Sequence, residues 1–184
     1  LERHYLEFLA GGYDRNAVLK ELMQSYGEDV WNFAYFLTRQ SHAADDISQD
    51  VFLSAYDKLY SFRGECSVKS WLLTITRNKS LHYLKSAFIR KVTLRDTLTF
   101  RKDASPSAEQ VVLDRLESNR LWSYVMELPR KYREAIILDY HYGLTMREIA
   151  LLLDISEGTV KSRVFRAKQK ISERLATAAE REEE

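Results

Sequence analysis

Thr145-Met146-Arg147-Glu148-Ile149-Ala150-Leu151-Leu152-Leu153-Asp154-Ile155-Ser156-Glu157-Gly158-Thr159-Val160-Lys161-Ser162-Arg163 is the stretch on which the fold turns. Its first four residues form a capping box: the Thr145 hydroxyl is placed to accept from the Glu148 amide, and the Glu148 carboxylate to reach back to the Thr145 amide. Ile149, Ala150, Leu152 and Leu153 then supply a short apolar helix. Asp154-Ile155-Ser156 interrupts it as a tight turn, and Ser156 is placed to cap another helix beginning at Glu157. Aspartate tolerates the left-handed backbone that such a turn demands better than most residues do. A short helix, a tight turn and a longer helix make the unit that reads duplex DNA through its second helix.

In that second helix Val160, Val164, Ala167 and Ile171 fall on one stripe, suited to packing. Thr159, Arg163, Arg166 and Lys170 fall on another, polar and cationic, suited to phosphates and base edges. A basic face is also common on helices that merely stay solvated; the capped turn next to this one favours DNA reading. Upstream, Pro129 is placed to begin a helix that Gly143 ends. Ser105 as N-cap with Pro106 at the first helical position starts a further helix, reaching about Met126 and carrying Val111, Val112, Leu116, Leu121 and Val125.

Apolar residues recur at helical spacing over the rest of the chain, and strand-like alternation is hardly seen. Asp14 is placed to cap a first helix ending at about Arg39, with Gly27 as a break or kink before Val30. A second helix opens over His42 to Asp46 and reaches about Tyr60. Phe62 to Ser67, containing Arg63-Gly64-Glu65, reads as a loop, and a third helix spans about Lys69 to Ala87. On the third helix Trp71, Ile75, Asn78, His82 and Lys85 share one stripe, while Leu73, Leu81, Leu84 and Phe88 are expected on the core side. The expected fold is all-α: two helical domains, residues 1–88 and 106–184, joined by a flexible basic linker over 89–105, the second domain containing the helix-turn-helix.

Composition bounds the function. Among 184 residues, 45% are hydrophobic and 30% charged, with 2 prolines and 6 glycines, a globular balance that suits helices. The formal net charge of +1 conceals sorting along the chain. Arg77, Lys79, Lys85, Arg90, Lys91, Arg95, Arg101 and Lys102 crowd one stretch against Asp96; Lys161, Arg163, Arg166, Lys168, Lys170 and Arg174 crowd another against Glu173. Acids gather at Asp45, Asp46, Asp50 and Asp57. Two basic surfaces and one acidic surface imply more than one partner. The single Cys66 allows no intrachain disulfide and fits a reducing, cytoplasmic compartment. His4, His42, His82 and His141 lie too far apart in sequence for a zinc motif, so neither a metal nor another cofactor is expected. No apolar run approaches the roughly 20 residues a membrane span needs, so no membrane insertion is expected. The carboxylates have no companion nucleophile or phosphate loop, and the chain is not expected to be an enzyme.

Leu128-Pro129, Tyr132-Arg133-Glu134-Ala135, Gly143-Leu144-Thr145, Glu148-Ile149-Ala150 and above all Glu157-Gly158-Thr159-Val160-Lys161-Ser162-Arg163 resemble region four of the extracytoplasmic-function RNA polymerase sigma factors, within the sigma-70 family. The resemblance implies that Ser156, Glu157, Thr159, Lys161, Ser162, Arg163, Arg166 and Lys170 face the minus-thirty-five promoter element. Asp45-Asp46-Ile47 and Gln49-Asp50-Val51-Phe52 resemble the core-binding segment of region two. Here Ile47, Val51, Ala55 and Leu59 suit the interior, whereas Asp45, Asp46, Gln49, Asp50 and Leu53 suit docking on RNA polymerase core. The resemblance names the beta-prime coiled coil as their partner there, with the beta flap as the partner of region four.

Trp71-Leu72 and Arg77-Asn78 resemble the promoter-melting helix of the same family. The implied minus-ten DNA contacts are Phe62, Arg63, Trp71, Arg77, Asn78, Lys79, His82 and Lys85, with the loop from about Phe62 to Val68 holding a flipped base. Trp71 is equally suited to a core. His82 and Lys85 depart from the aspartate and arginine common in the family; lysine lacks the planar guanidinium fork and suits phosphate better than a base. The resemblance further implies an anti-sigma factor, often membrane-anchored, and a bacterial protein that is cytoplasmic and associated with the nucleoid when active, in a stress or envelope response. The alternative reading of the helix-turn-helix is a polymerase-independent transcription regulator.

Overall fold

The computed structural model describes residues 14–62, 64–93 and 120–180. The chain divides into two compact units, Leu1–Ala104 and Ser105–Glu184, and among the described residues every regular element is helical.

The first unit contains α1 (Arg15–Thr38), α2 (Ser41–Lys58), a 3-10 turn (Leu59–Ser61) and α3 (Val68–Thr93). Asp14 caps α1 by accepting from the Asn16 amide at 2.9 Å, and Arg39, at φ 58°, ends it with a left-handed residue whose amide donates to the Tyr35 carbonyl. All three helices pack on one another. Val18, Leu22, Val30 and Phe33 of α1, Ile47, Val51 and Ala55 of α2, and Val68, Leu72 and Leu73 of α3 form the core. Burying aliphatic side chains of this size contributes roughly 1.5–3 kcal/mol each relative to exposure.

Three expectations are corrected here. Gly27 does not break α1; the helix runs through it, because Leu22 before it and Val30 and Phe33 after it are each 0% exposed. Tertiary burial on both sides outweighs the roughly 0.5–1 kcal/mol that an interior glycine costs. On α3, Leu73 is buried, but Leu81 and Leu84 are half-buried and Phe88 is 68% exposed. The buried line runs instead through Leu72, Thr76 and Ser80, whose hydroxyls donate to the Leu72 and Thr76 carbonyls at 2.8 Å. Small hydroxyl side chains satisfied in this way fit a close helix contact that hydropathy alone does not reveal. Ile75, expected on the outward stripe, is buried as well. Finally, α3 extends to Thr93, so the beginning of the expected linker is helical; the remainder of 89–105, the Ser105-Pro106 start and Arg63 lie outside the described residues.

The second unit contains α4 (Arg120–Glu127), α5 (Arg130–Ile136), a π-helical continuation of α5 (Ile137–His141), α6 (Met146–Leu153) and α7 (Glu157–Glu180). Pro129 occupies the N-cap of α5, its carbonyl accepting from the Tyr132 and Arg133 amides. Arg133, 7% exposed, turns back to donate to the Met126 carbonyl at 2.7 Å and so caps the end of α4. Gly143, at φ 65°, redirects the chain after the π segment, a backbone region that glycine enters without steric cost. Leu138, Ile149, Val160 and Ala167 meet in the core beneath.

Candidate nucleic-acid interface

Both caps of the helix-turn-helix form. The Thr145 hydroxyl accepts from the Glu148 amide at 3.2 Å and the Glu148 carboxylate accepts from the Thr145 amide at 3.0 Å. Asp154 adopts the left-handed conformation, φ 55° and ψ 54°, and the Ile155 amide closes onto the Ala150 carbonyl at 3.0 Å. Ser156 Oγ then accepts from the Thr159 amide at 3.2 Å and bonds the Thr159 hydroxyl at 2.9 Å. The capping box thus fixes where α6 starts, and Asp154 and Ser156 fix where α7 starts and in which direction it leaves.

Val160, Val164, Ala167 and Ile171 are buried against the unit. Opposite them Ser156, Glu157, Thr159, Lys161, Ser162, Arg166 and Lys170 are exposed, and Arg163 is half-buried. Thr159, Arg163, Arg166 and Lys170 form one flank of the free face. Its middle is occupied by Gly158, Ser162, Phe165 and Gln169, by the 100° step of a helix. Phe165, 68% exposed there, was not among the expected site residues. The usable signal was its phase: an aromatic residue five positions after Val160 and one after Val164 stands off the buried stripe. From α5, Tyr132 lies beside Arg166; the guanidinium's hydrogen bond to the phenol holds its pKa below the ordinary tyrosine value, against the opposing effect of desolvation.

The same unit carries an apolar groove of about 480 Å³ between α4, the π segment and α7. Leu121, Trp122, Ile137, Tyr140, Ile171 and Leu175 line it, with Lys168 and His141 at its walls. Lys168 Nζ sits 4.8 Å from the centre of the Tyr140 ring, and a hydrogen bond to the Tyr140 hydroxyl raises its pKa. The π segment that shapes this wall leaves no mark in the hydropathy pattern.

In the first unit, Asp45, Asp46, Gln49, Asp50 and Leu53 are all exposed on α2, Leu53 to 63%, while Ile47, Val51, Ala55 and Leu59 face the core. The acidic face is tied to its neighbours at two points. Asp45 Oδ1 accepts from the Trp31 indole at 2.7 Å, and Asp50 Oδ2 lies 3.7 Å from Lys79 Nζ. On α3, Asn78, His82 and Lys85 are exposed and Arg77 and Lys79 half-buried. The half-buried Trp71 packs on Phe62 with ring centres 4.8 Å apart. A small cleft of about 200 Å³ brings Ser54 and Lys58 of α2 beside Asn78, Lys79 and His82 of α3. Ser54 and Lys58 were missed because they are remote in sequence from the α3 stripe they join.

Among the described residues no three His, Cys, Asp or Glu side chains cluster as metal ligands, and no helix is long and apolar enough to cross a membrane.

Residues 22–87 match the family described as Sigma-70 region 2, and residues 118–171 match Sigma-70, region 4. The chain is similar to the ECF RNA polymerase sigma factor SigM of Bacillus subtilis, 33% identical over 156 residues that cover 83% of this chain and 92% of that one. Among solved structures it resembles the sigma factor RpoE from Bartonella quintana in complex with the anti-sigma factor NepR, at 25% identity and a TM-score of 0.63, covering 85% of this chain and 96% of the other. CnrH in complex with the cytosolic domain of CnrY shares the fold, with a TM-score of 0.67 at 24% identity, over 96% of this chain and 97% of that one.

Proposed function

Because this chain belongs to the sigma-70 family, among the ECF RNA polymerase sigma factors that direct transcription, we propose a division of labour between its two units. The acidic face of α2, through Asp45, Asp46, Gln49, Asp50 and Leu53, docks on the beta-prime coiled coil of core polymerase. The order of charges supports this: Asp46 and Asp50 lie seven and three residues before the exposed Leu53 on one helix face, an arrangement that suits a basic helical partner and contributes register as well as attraction. The loop from Phe62 and the face of α3 hold the minus-ten element as it opens. There Asn78, Lys79, His82 and Lys85 offer hydrogen bonds and charge to a strand, and the cleft adds Lys58 and Ser54 from α2. Bases leaving a duplex need stacking surfaces and a cationic track.

In the second unit, α7 enters the major groove of the minus-thirty-five element. Arg163, Arg166, Lys161 and Lys170 supply phosphate and guanine contacts, and Phe165 offers an apolar contact to a thymine methyl. The observation that carries this assignment is the fixed entry into α7: the left-handed Asp154 ends α6 and the Ser156 cap starts α7, while the capping box fixes the start of α6. A groove-reading helix needs such a defined entry. The apolar groove beside Tyr140 suits the beta flap. An anti-sigma factor covering these surfaces is in keeping with the sigma factor in the complex from Bartonella quintana. Sigma factors as a class are initiation factors rather than catalysts, and a cytoplasmic site of action follows from the partner.

Run-off transcription with bacterial core polymerase tests the assignment. Initiation at a cognate promoter requires the chain; Asp50→Arg lowers core affinity by tenfold or more, on the order of 1.4 kcal/mol or above. Arg163→Ala spares core affinity and weakens use of the upstream element by about 1–3 kcal/mol. An exchange of those two phenotypes refutes the assignment. Tight, sequence-specific promoter binding by the free chain favours instead a polymerase-independent regulator.

A further inference from the structure

We propose that Trp31 is a positioning residue for polymerase docking, holding Asp45 in the orientation in which it meets its partner. The inference rests on the reading of α2 as the docking face.

An exposed aspartate samples several rotamers, and ordering it at an interface opposes binding. Asp45 is exposed, yet its Oδ1 is held at 2.7 Å by the Trp31 indole N–H from the neighbouring helix. The indole is held in turn: it stacks on Tyr35 with ring centres 5.5 Å apart and planes within 6° of parallel, and Tyr35 is 5% exposed. Orientation passes from a buried tyrosine, through a half-buried tryptophan, to a carboxylate at the surface. The indole is a neutral donor and sets no cation against the Asp45 carboxylate. One oxygen is spent on Trp31, and Oδ2 remains to accept from a cationic group. Asp50, by comparison, faces a lysine at 3.7 Å, a longer and exposed ion pair of the kind that constrains side chains weakly. Asp45 is therefore the better-ordered carboxylate of the two.

Trp31→Phe keeps a ring to stack on Tyr35 and removes the donor. Its expected effect is a loss of core-polymerase affinity of about fivefold, in the range of one hydrogen bond, with a thermal midpoint close to that of the unaltered chain. Asp45→Ala, which removes the acceptor, is expected to weaken docking at least as much. Combining the two is expected to cost little beyond Asp45→Ala alone, since Trp31 acts only through that carboxylate. A merely structural Trp31 gives additive losses in this cycle, or loses docking in proportion to stability; either result overturns the proposal, as does unchanged affinity in Trp31→Phe. Asp50→Arg serves as the control. If it abolishes docking while Trp31→Phe and Asp45→Ala do not weaken it, Trp31 has no such role and the docking face stands; if none of the three weakens docking, the docking face falls as well.

Discussion

Asp154 sits at φ 55° and ψ 54° where the chain turns from α6 towards α7, and it is exposed, with no packing role of its own. A left-handed backbone costs an ordinary L-residue roughly 1–2 kcal/mol, less for aspartate and nothing for glycine. Asp154→Ala is therefore expected to lower stability by about 1 kcal/mol in denaturant titration, whereas Asp154→Gly is expected to leave it unchanged or raise it slightly. If alanine proves as stable as aspartate, the left-handed turn is not what holds these helices in register. Residues of this kind were legible in the sequence because their reasons are local: Thr145 and Glu148 lie three apart, Ser156 and Thr159 three apart, and each pair closes its own hydrogen bonds. Arg133, Trp31 and Lys58 were not legible. Arg133 caps a helix other than its own, Trp31 reaches across from α1 to α2, and Lys58 joins a cleft made mainly by α3. Their roles depend on how helices pack, which no window of sequence contains.

Helices as wholes were read correctly where one apolar stripe repeats, as on α2 and α7, and less well where burial uses small polar groups. The core side of α3 was misplaced because Thr76 and Ser80, each 0% exposed, do the packing, and the π segment after Ile136 has no counterpart in residue spacing. Gly27 illustrates the opposite error, a local signal overruled by packing. A methyl group added there meets nothing within 4 Å, and the helix is continuous. Gly27→Ala is therefore expected to stabilise the first unit by about 0.5–1 kcal/mol, chiefly by restricting the unfolded chain. Differential scanning calorimetry reads this as a rise in melting temperature. A fall would mean that α1 needs to bend at this position.

At the scale of the molecule, a formal net charge of +1 is divided between an acidic face on α2 and basic faces on α3 and α7, which suits the different partners proposed for them. The two compact units are joined covalently, which makes engagement of the second an intramolecular event once the first has docked. On the proposed division of labour neither DNA contact needs to be strong by itself, and promoter affinity is a property of the assembled polymerase. Ten glycine and serine residues inserted between Asp103 and Ala104 lengthen the tether without altering a proposed contact. The effective concentration of a tethered module falls roughly as the −3/2 power of tether length, so the insertion should cost about two- to threefold. That loss is expected in the upstream-element contribution to open-complex formation, with core affinity unchanged. On a promoter that lacks the minus-thirty-five element the inserted chain and the parent chain should act alike, because the contact whose concentration has fallen is then absent. If the insertion abolishes initiation outright, the basic connection itself touches polymerase or template; if it changes nothing, the two units do not act through their tether.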